Sequence, residues 1–364
     1  MDKRLRIAGI VGAVIFSFFV LTSEDDPIPL PEPPSAKMEN SSVEILAQNL
    51  ENPRSIAVTE DRIFVTEKEG RIRVIQNGEL LEEPLATLRP AQVFDGGLLG
   101  ITTHPDFTNN HFLYVFLTYE EDEKLWNKVM RIKESKNKLE DAITIFDKIP
   151  GSVFYNGGFL KFGPDGKLYV GTGTVSDASH LPQDMDSLAG KILRLNEDGT
   201  IPDDNPFDNS PIYTLGHRHP QGMAWDETGN LYVAELGPEK NDEINIILAG
   251  KNYGWPEQEC GGNEMFEGPV LCYDPAIEPG GILFYSGNAI DLEHSFLMTS
   301  LRASNLYQLD IEEGLKSQKS ILSGVGRVRD VAQGPDGSLY VITSNTDGKG
   351  FPDRTDDKLL RILK

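Results

Sequence analysis

Two cysteines in 364 residues leave no material for a zinc cage. Cys260 and Cys272 lie close together with no further thiol and no suitably spaced histidine. In an exported chain they read as a disulfide closing a small loop. Basic residues are also scarce: 34 Lys and Arg stand against 57 Asp and Glu, a formal charge of -23. A surface of that sign does not neutralise phosphates, which excludes a nucleic-acid partner. Long helical periodicity is nearly absent. So are a G-x-S-x-G elbow, a P-loop, an H-E-x-x-H pair and a Rossmann fingerprint, together with the chemistries they serve.

One long apolar run exists, from Ile7 to Leu21 behind Lys3, Arg4 and Arg6. Residues 1–22 therefore read as a signal peptide or membrane anchor. The run suits a signal-peptide core better than a full span, yet no A-x-A-like cleavage site follows, which tips the reading to an uncleaved anchor. The basic flank stays inside, and the rest is expected at the cell surface or in the periplasm, touching the membrane only through this segment. Residues 23–44 form an acidic Pro-rich spacer containing Pro27, Pro29, Pro31, Pro33 and Pro34.

Residues 45–364 repeat a pattern of short strand, polar turn, short strand and a closing basic-apolar strand. The clearest copies are GGFLKFGPDGKLYVGTGT from Gly157 to Thr174 and VAQGPDGSLYVITS from Val331 to Ser344. Another runs through MAW and LYVAE across the turn Asp226 to Asn230. In each GPDG turn, Pro presets φ and Asp-Gly completes the reversal between paired strands. Six such units predict an all-β, six-bladed β-propeller. A β-sandwich needs fewer strands and no repeat, and no linker divides the region into two barrels.

Loops at one end of a propeller channel converge, so residues just outside each inner strand are the candidates for a site. They include Asp95, Tyr155, Arg218 with His219, and Arg327 with Arg329. The last two lie two apart on a strand, point the same way and suit a carboxylate or phosphate; surface or inter-blade ion pairs are the structural alternative. His104 and His111 read as structural, His180 and His294 as solvated. Leu236-Gly237-Pro238 with Asp242 and Glu243 offers carbonyls and carboxylates to a hard cation.

GLLGITTHPDF, LAGKILRLNEDGTIPDDNPF, GHRHPQGMAW, GPEKNDEIN and KNYGWP, taken in order with the copies above, resemble the soluble quinoprotein sugar dehydrogenases of the glucose/sorbosone dehydrogenase family. The resemblance implies pyrroloquinoline quinone (PQQ) and Ca²⁺ on a propeller, a sugar substrate, an external electron acceptor and a general-base histidine. It also implies cofactor roles for Asp95, Arg218, His219, Tyr273, Arg302, Arg327 and Arg329, and metal roles for Gly237, Pro238, Asp242 and Glu243. This sequence departs from the pattern where the base belongs. Tyr155 holds the histidine's place, and tyrosine, with an ordinary pKa of about 10, is a poor base at neutral pH. His219 stands where asparagine is expected, and Leu236 replaces a polar residue. The expectation is thus an exported aldose dehydrogenase in which Tyr155 or His219 acts as base. The alternatives are a silent propeller binding a ligand, glycan or protein through the same mouth and, more distantly, a Ca²⁺-dependent lactonase.

Overall fold

Six antiparallel sheets of four or five strands follow one another along the chain in the computed structural model. It describes residues 38, 41–176, 180–292, 294–310 and 318–364. The hydrophobic segment and most of the spacer expected at the N-terminus lie outside the described residues. The sheets are the blades of the expected six-bladed β-propeller. Their innermost strands are Pro53–Val58, Leu98–Thr103, Gly157–Phe162, Pro220–Trp225, Pro279–Tyr285 and Val328–Gln333, and each neighbours the next around one axis.

The second strand of a blade is covered on both faces by adjacent blades. Leu168–Thr172 (LYVGT), Leu231–Glu235 (LYVAE) and Leu339–Thr343 (LYVIT) are buried at every residue. A doubly covered strand wants an unbroken apolar run rather than alternation, which is the LYV signature seen in the sequence. The core is correspondingly divided into clusters between blades. One of them joins Leu99, Tyr114 and Phe116 of blade two to Leu160, Val170 and Leu193 of blade three. The GPDG turns close as expected, with the Gly166 N–H donating to the Gly163 carbonyl at 2.9 Å and Gly337 to Gly334 at 3.0 Å.

Crowding at the axis explains the glycines that open the inner strands. A Cβ on Gly100 would collide with the Gly158 carbonyl, and one on Gly280 with the Arg329 carbonyl. Only a bare α-carbon lets the inner strands approach that closely.

Ser42–Ala47 pairs with Leu359–Leu363, so the sixth blade takes its outer strand from the opposite end of the chain. This corrects the spacer boundary at residue 44, since the strand already begins at Ser42. SVEILA has no copy in the repeat, and its partner becomes adjacent only when the ring closes. Cys260 and Cys272 are joined as expected, across the loop before Leu271–Tyr273.

Candidate functional site at the channel mouth

Asp95, Tyr155, His219, Arg327 and Arg329 come from four blades and line one cavity at the channel mouth. Arg54, Lys68 and Lys349 line it too, with Glu278 and Asp347 as further carboxylates. Five cations thus face three carboxylates (Asp95, Glu278, Asp347) in a chain whose overall charge is strongly negative. Such a concave positive patch draws in anions.

The cations divide into two groups. Arg327 is neutralised: its guanidinium reaches Asp347 at 2.8 Å and Glu278 at 3.0 Å. The side chains of Arg54 and Lys68, by contrast, make no hydrogen bond or short ion pair among the described residues. Arg329 approaches Asp347 only to 3.6 Å, and its buried Nε has no partner among the described residues. Burial depresses Arg54 and Lys68 below their ordinary values, and at Lys68 the Arg54 charge adds to the effect. Arg329 is pushed down to about 9, by burial first and then by Arg54 and Arg327. Buried cations held against their own repulsion are costly unless an anion joins them.

On the opposite wall, the Tyr155 N–H donates to Asp95 Oδ2 at 3.2 Å, with Tyr155 in the left-handed region at φ 61°. The Tyr155 ring lies between the Arg218 guanidinium, 4.3 Å from its centroid, and the edge of His219 at 5.5 Å. His219 is a bracket between blades. The Gly157 N–H donates to its Nδ1 at 3.2 Å, and its Nε2 faces the Gln221 carboxamide at 3.1 Å. The Gln221 group is its amide nitrogen, also a donor, so two donors face the single lone pair of the neutral ring, and both nitrogens are engaged. Burial, with Arg218, Arg54 and Arg329 nearby, takes its pKa down to about 3.

That shift has a sign. A histidine that stays neutral in the fold takes up a proton near its ordinary value of 6.5 only when unfolded. Its contribution to stability is present above that value and is lost as pH falls towards the folded pKa. His219→Asn is expected to be less acid-labile than the parent, by about 3 kcal/mol at about pH 4. Thermal melts across pH test this, and parallel curves for the two proteins would refute it.

Arg218 occupies a neighbouring recess. Its Nη1 donates to the Gly237 carbonyl at 2.5 Å and the Leu236 carbonyl at 2.9 Å, and Trp255 flanks it at 5.3 Å. The turn therefore gathers carbonyl oxygens on a positive charge, the donor chemistry that a hard cation requires. The carboxylates expected beside it are otherwise employed. Asp242 accepts the Gly237 N–H at 2.8 Å through Oδ1, and the Ile277 and Glu278 N–H groups at 2.7 and 2.8 Å through Oδ2. Glu243 accepts the Cys260 N–H at 2.7 Å and is pushed up to about 7 by burial and by Glu235. Asp242 and Glu243 thus pin loops in place, and no cluster of three or more metal-binding side chains forms among the described residues.

Two further candidates lie outside this cavity. Tyr273 is not at the mouth; it packs with Ile244, Ile282 and Phe296 between blades four and five. It pairs with Asp242 on a three-residue strand, whose facing the sequence does not reveal. The aromatics at Arg218 are Tyr155 and Trp255 instead. Arg302 sits at the rim, about half exposed, and binds Glu278 at 2.9 Å. Arg54 and Lys68 escaped the sequence reading, although Arg54 opens the inner strand of blade one and the rule applied to the other blades would have found it.

The profile of the Glucose / Sorbosone dehydrogenase family matches residues 50–361. The aldose sugar dehydrogenase YliI of Escherichia coli is 32% identical over 343 residues, covering 85% of this chain and 91% of its own. An oxidoreductase of Thermus thermophilus, described as a glucose dehydrogenase, superposes with a TM-score of 0.82 at 37% identity, covering 89% of this chain and all of that one. The PQQ-bound aldose sugar dehydrogenase of Streptomyces coelicolor has a TM-score of 0.79 at 34% identity, over 91% of this chain and 99% of its own.

Proposed function

The chain belongs to the glucose/sorbosone dehydrogenase family, and from that premise we propose that it oxidises the C1 hydroxyl of an aldose to a lactone with PQQ as oxidant. One observation carries the reading: Arg54 and Lys68 converge on the mouth with no short carboxylate pairing among the described residues, and Arg329 with only a loose one to Asp347 at 3.6 Å. PQQ is a tricarboxylated quinone, and such cations are what its carboxylates require. When bound it supplies a two-electron acceptor for the hydride on C1. Arg329, Arg54 and Lys68 would hold its carboxylates, with Arg327 and Lys349 beside them. Tyr155 and Trp255 would wall the recess against water while Asp95 faces the sugar. An external acceptor then reoxidises the cofactor, which suits the exported location expected from the sequence.

Calcium assistance is part of the proposal. Ca²⁺ would take the Gly237 and Pro238 carbonyls, and Arg218 would have to release Gly237. The test is a titration of the purified propeller with PQQ, in Ca²⁺ and in chelator, followed by aldose and a dye. Expected are saturable binding, dye reduction, and affinity at least about tenfold weaker in chelator. Equal affinity in both removes calcium from the proposal, and absence of binding removes the enzyme. The phenol at position 155 favours a second reading, a propeller that binds but does not turn over. Tight binding with every aldose inert would establish it.

A further inference from the structure

Tyr155 stands where the family resemblance calls for a base histidine, so a dehydrogenase built on this chain must take the sugar's proton elsewhere. We infer that the Asp95 carboxylate is the general base that accepts the C1 hydroxyl proton, displacing His219 and Tyr155 from that role. The inference rests on the dehydrogenase reading above.

The geometry eliminates the alternatives first. His219 when neutral has one lone pair, and two donors, the Gly157 N–H and the Gln221 amide nitrogen, already face its ring nitrogens. To accept a proton it would have to break the bracket between blades and become a buried cation, which Asp95 favours but burial, Arg218, Arg54 and Arg329 together outweigh. Burial and those charges hold it neutral to about pH 3. Tyr155 brings its own proton and must lose it before it can accept another. Asp95 has neither handicap. Oδ2 is steadied by the Tyr155 N–H at 3.2 Å, and Oδ1 makes no hydrogen bond among the described residues. The carboxylate lines the cavity and is already adjacent to position 155, so a proton acceptor has moved by one neighbour rather than vanished.

The charge around Asp95 sets its strength. The groups facing it are His219, Arg54, Lys68, Arg329 and Lys349. Burial works against its charge, but the positive charges of Arg54 and Lys349 and the Tyr155 amide hold it below its ordinary value; the neutral His219 ring adds no charge at neutral pH. It is therefore ionised and competent throughout the neutral range. Arrival of an anion at Arg54 and Arg329 draws off part of that stabilisation and makes the carboxylate more basic as the site fills. In the step itself the O–H proton passes to Asp95 Oδ1. The C1–H bond would break with its electron pair passing to the two-electron acceptor that the bound quinone would supply, and C1–O would become the carbonyl of the lactone. The proton later leaves Asp95 to water.

The test combines cofactor binding, turnover and pH. Asp95→Asn is expected to bind PQQ at least as tightly as the parent, since it removes a negative charge from an anion site. It is also expected to lose kcat by roughly 10²- to 10⁴-fold. Asp95→Glu should recover part of the loss. Tyr155→Phe, which keeps the ring, should lose less than Asp95→Asn. The parent's kcat/KM should show no acid limb between about pH 5.5 and 8, where an imidazole of ordinary pKa would place one; His219, held down to about 3, would show none there either, so the variants separate it from Asp95. Asp95→Asn turnover within about threefold of the parent, the reverse order of the two variants, or an acid limb at about pH 6.5 overturns the inference while the dehydrogenase stands. A parent that takes up no quinone overturns the reading beneath it, and this inference with it.

Discussion

Arg329→Ala is expected to weaken PQQ binding by roughly two orders of magnitude, the scale for removing a buried partner of a charge-assisted pair. The argument lies in what Arg329 lacks. Its Nε is buried without a partner among the described residues, Asp347 stands off at 3.6 Å, and Arg54 and Arg327 repel it. That arrangement disfavours the empty protein, so the same substitution is expected to leave its melting temperature unchanged or raise it. Binding and stability therefore move in opposite directions, which a merely structural arginine would not do. Arg302→Ala is the control: half exposed and paired with Glu278, it should cost less than about fivefold. Calorimetric PQQ titration and thermal melts of both variants decide the matter. A destabilised Arg329→Ala with normal affinity would falsify the cofactor role.

The second large effect concerns ring closure. A chain beginning at Gln48 is expected to be less stable than one beginning at Ser41 by about 3–5 kcal/mol, summing the net worth of a five-residue ladder. Ser42–Ala47 supplies the outer strand of blade six along Leu359–Leu363. Without it Leu359–Leu363 becomes an open edge, which also invites aggregation. The cost is structural rather than local to the mouth, yet Arg327 and Arg329 belong to the same blade, so cofactor affinity should fall with stability. Denaturant melts of the two chains test this, and coincident midpoints would show that the strand is dispensable.

Much of the fold is legible in the residues. The LYV runs, the GPDG turns and the paired glycines each have one physical use in a blade, and six copies leave one architecture. Asp95, Tyr155, His219, Arg327 and Arg329 were also legible, because each precedes or opens an inner strand and those ends must converge. Ring closure was not, because SVEILA repeats nothing and its partner lies at the other end of the chain. Tyr273 went to the wrong place because nothing in a three-residue strand tells which face it presents. Glu278 and Asp347 were missed because their meaning depends on the arginines they neutralise.

The sequence by itself thus determined the repeating unit, the number of blades and the kinds of charge gathered at one end. These follow from turn chemistry and side-chain periodicity, which act over a few residues. Only the tertiary structure decided which arginines are paired and which are left for an anion, that His219 is a neutral bracket, and that Asp95 keeps an oxygen free. Those outcomes depend on distance and burial, because Coulomb and desolvation energies take their values only once six blades have excluded water from the mouth they share.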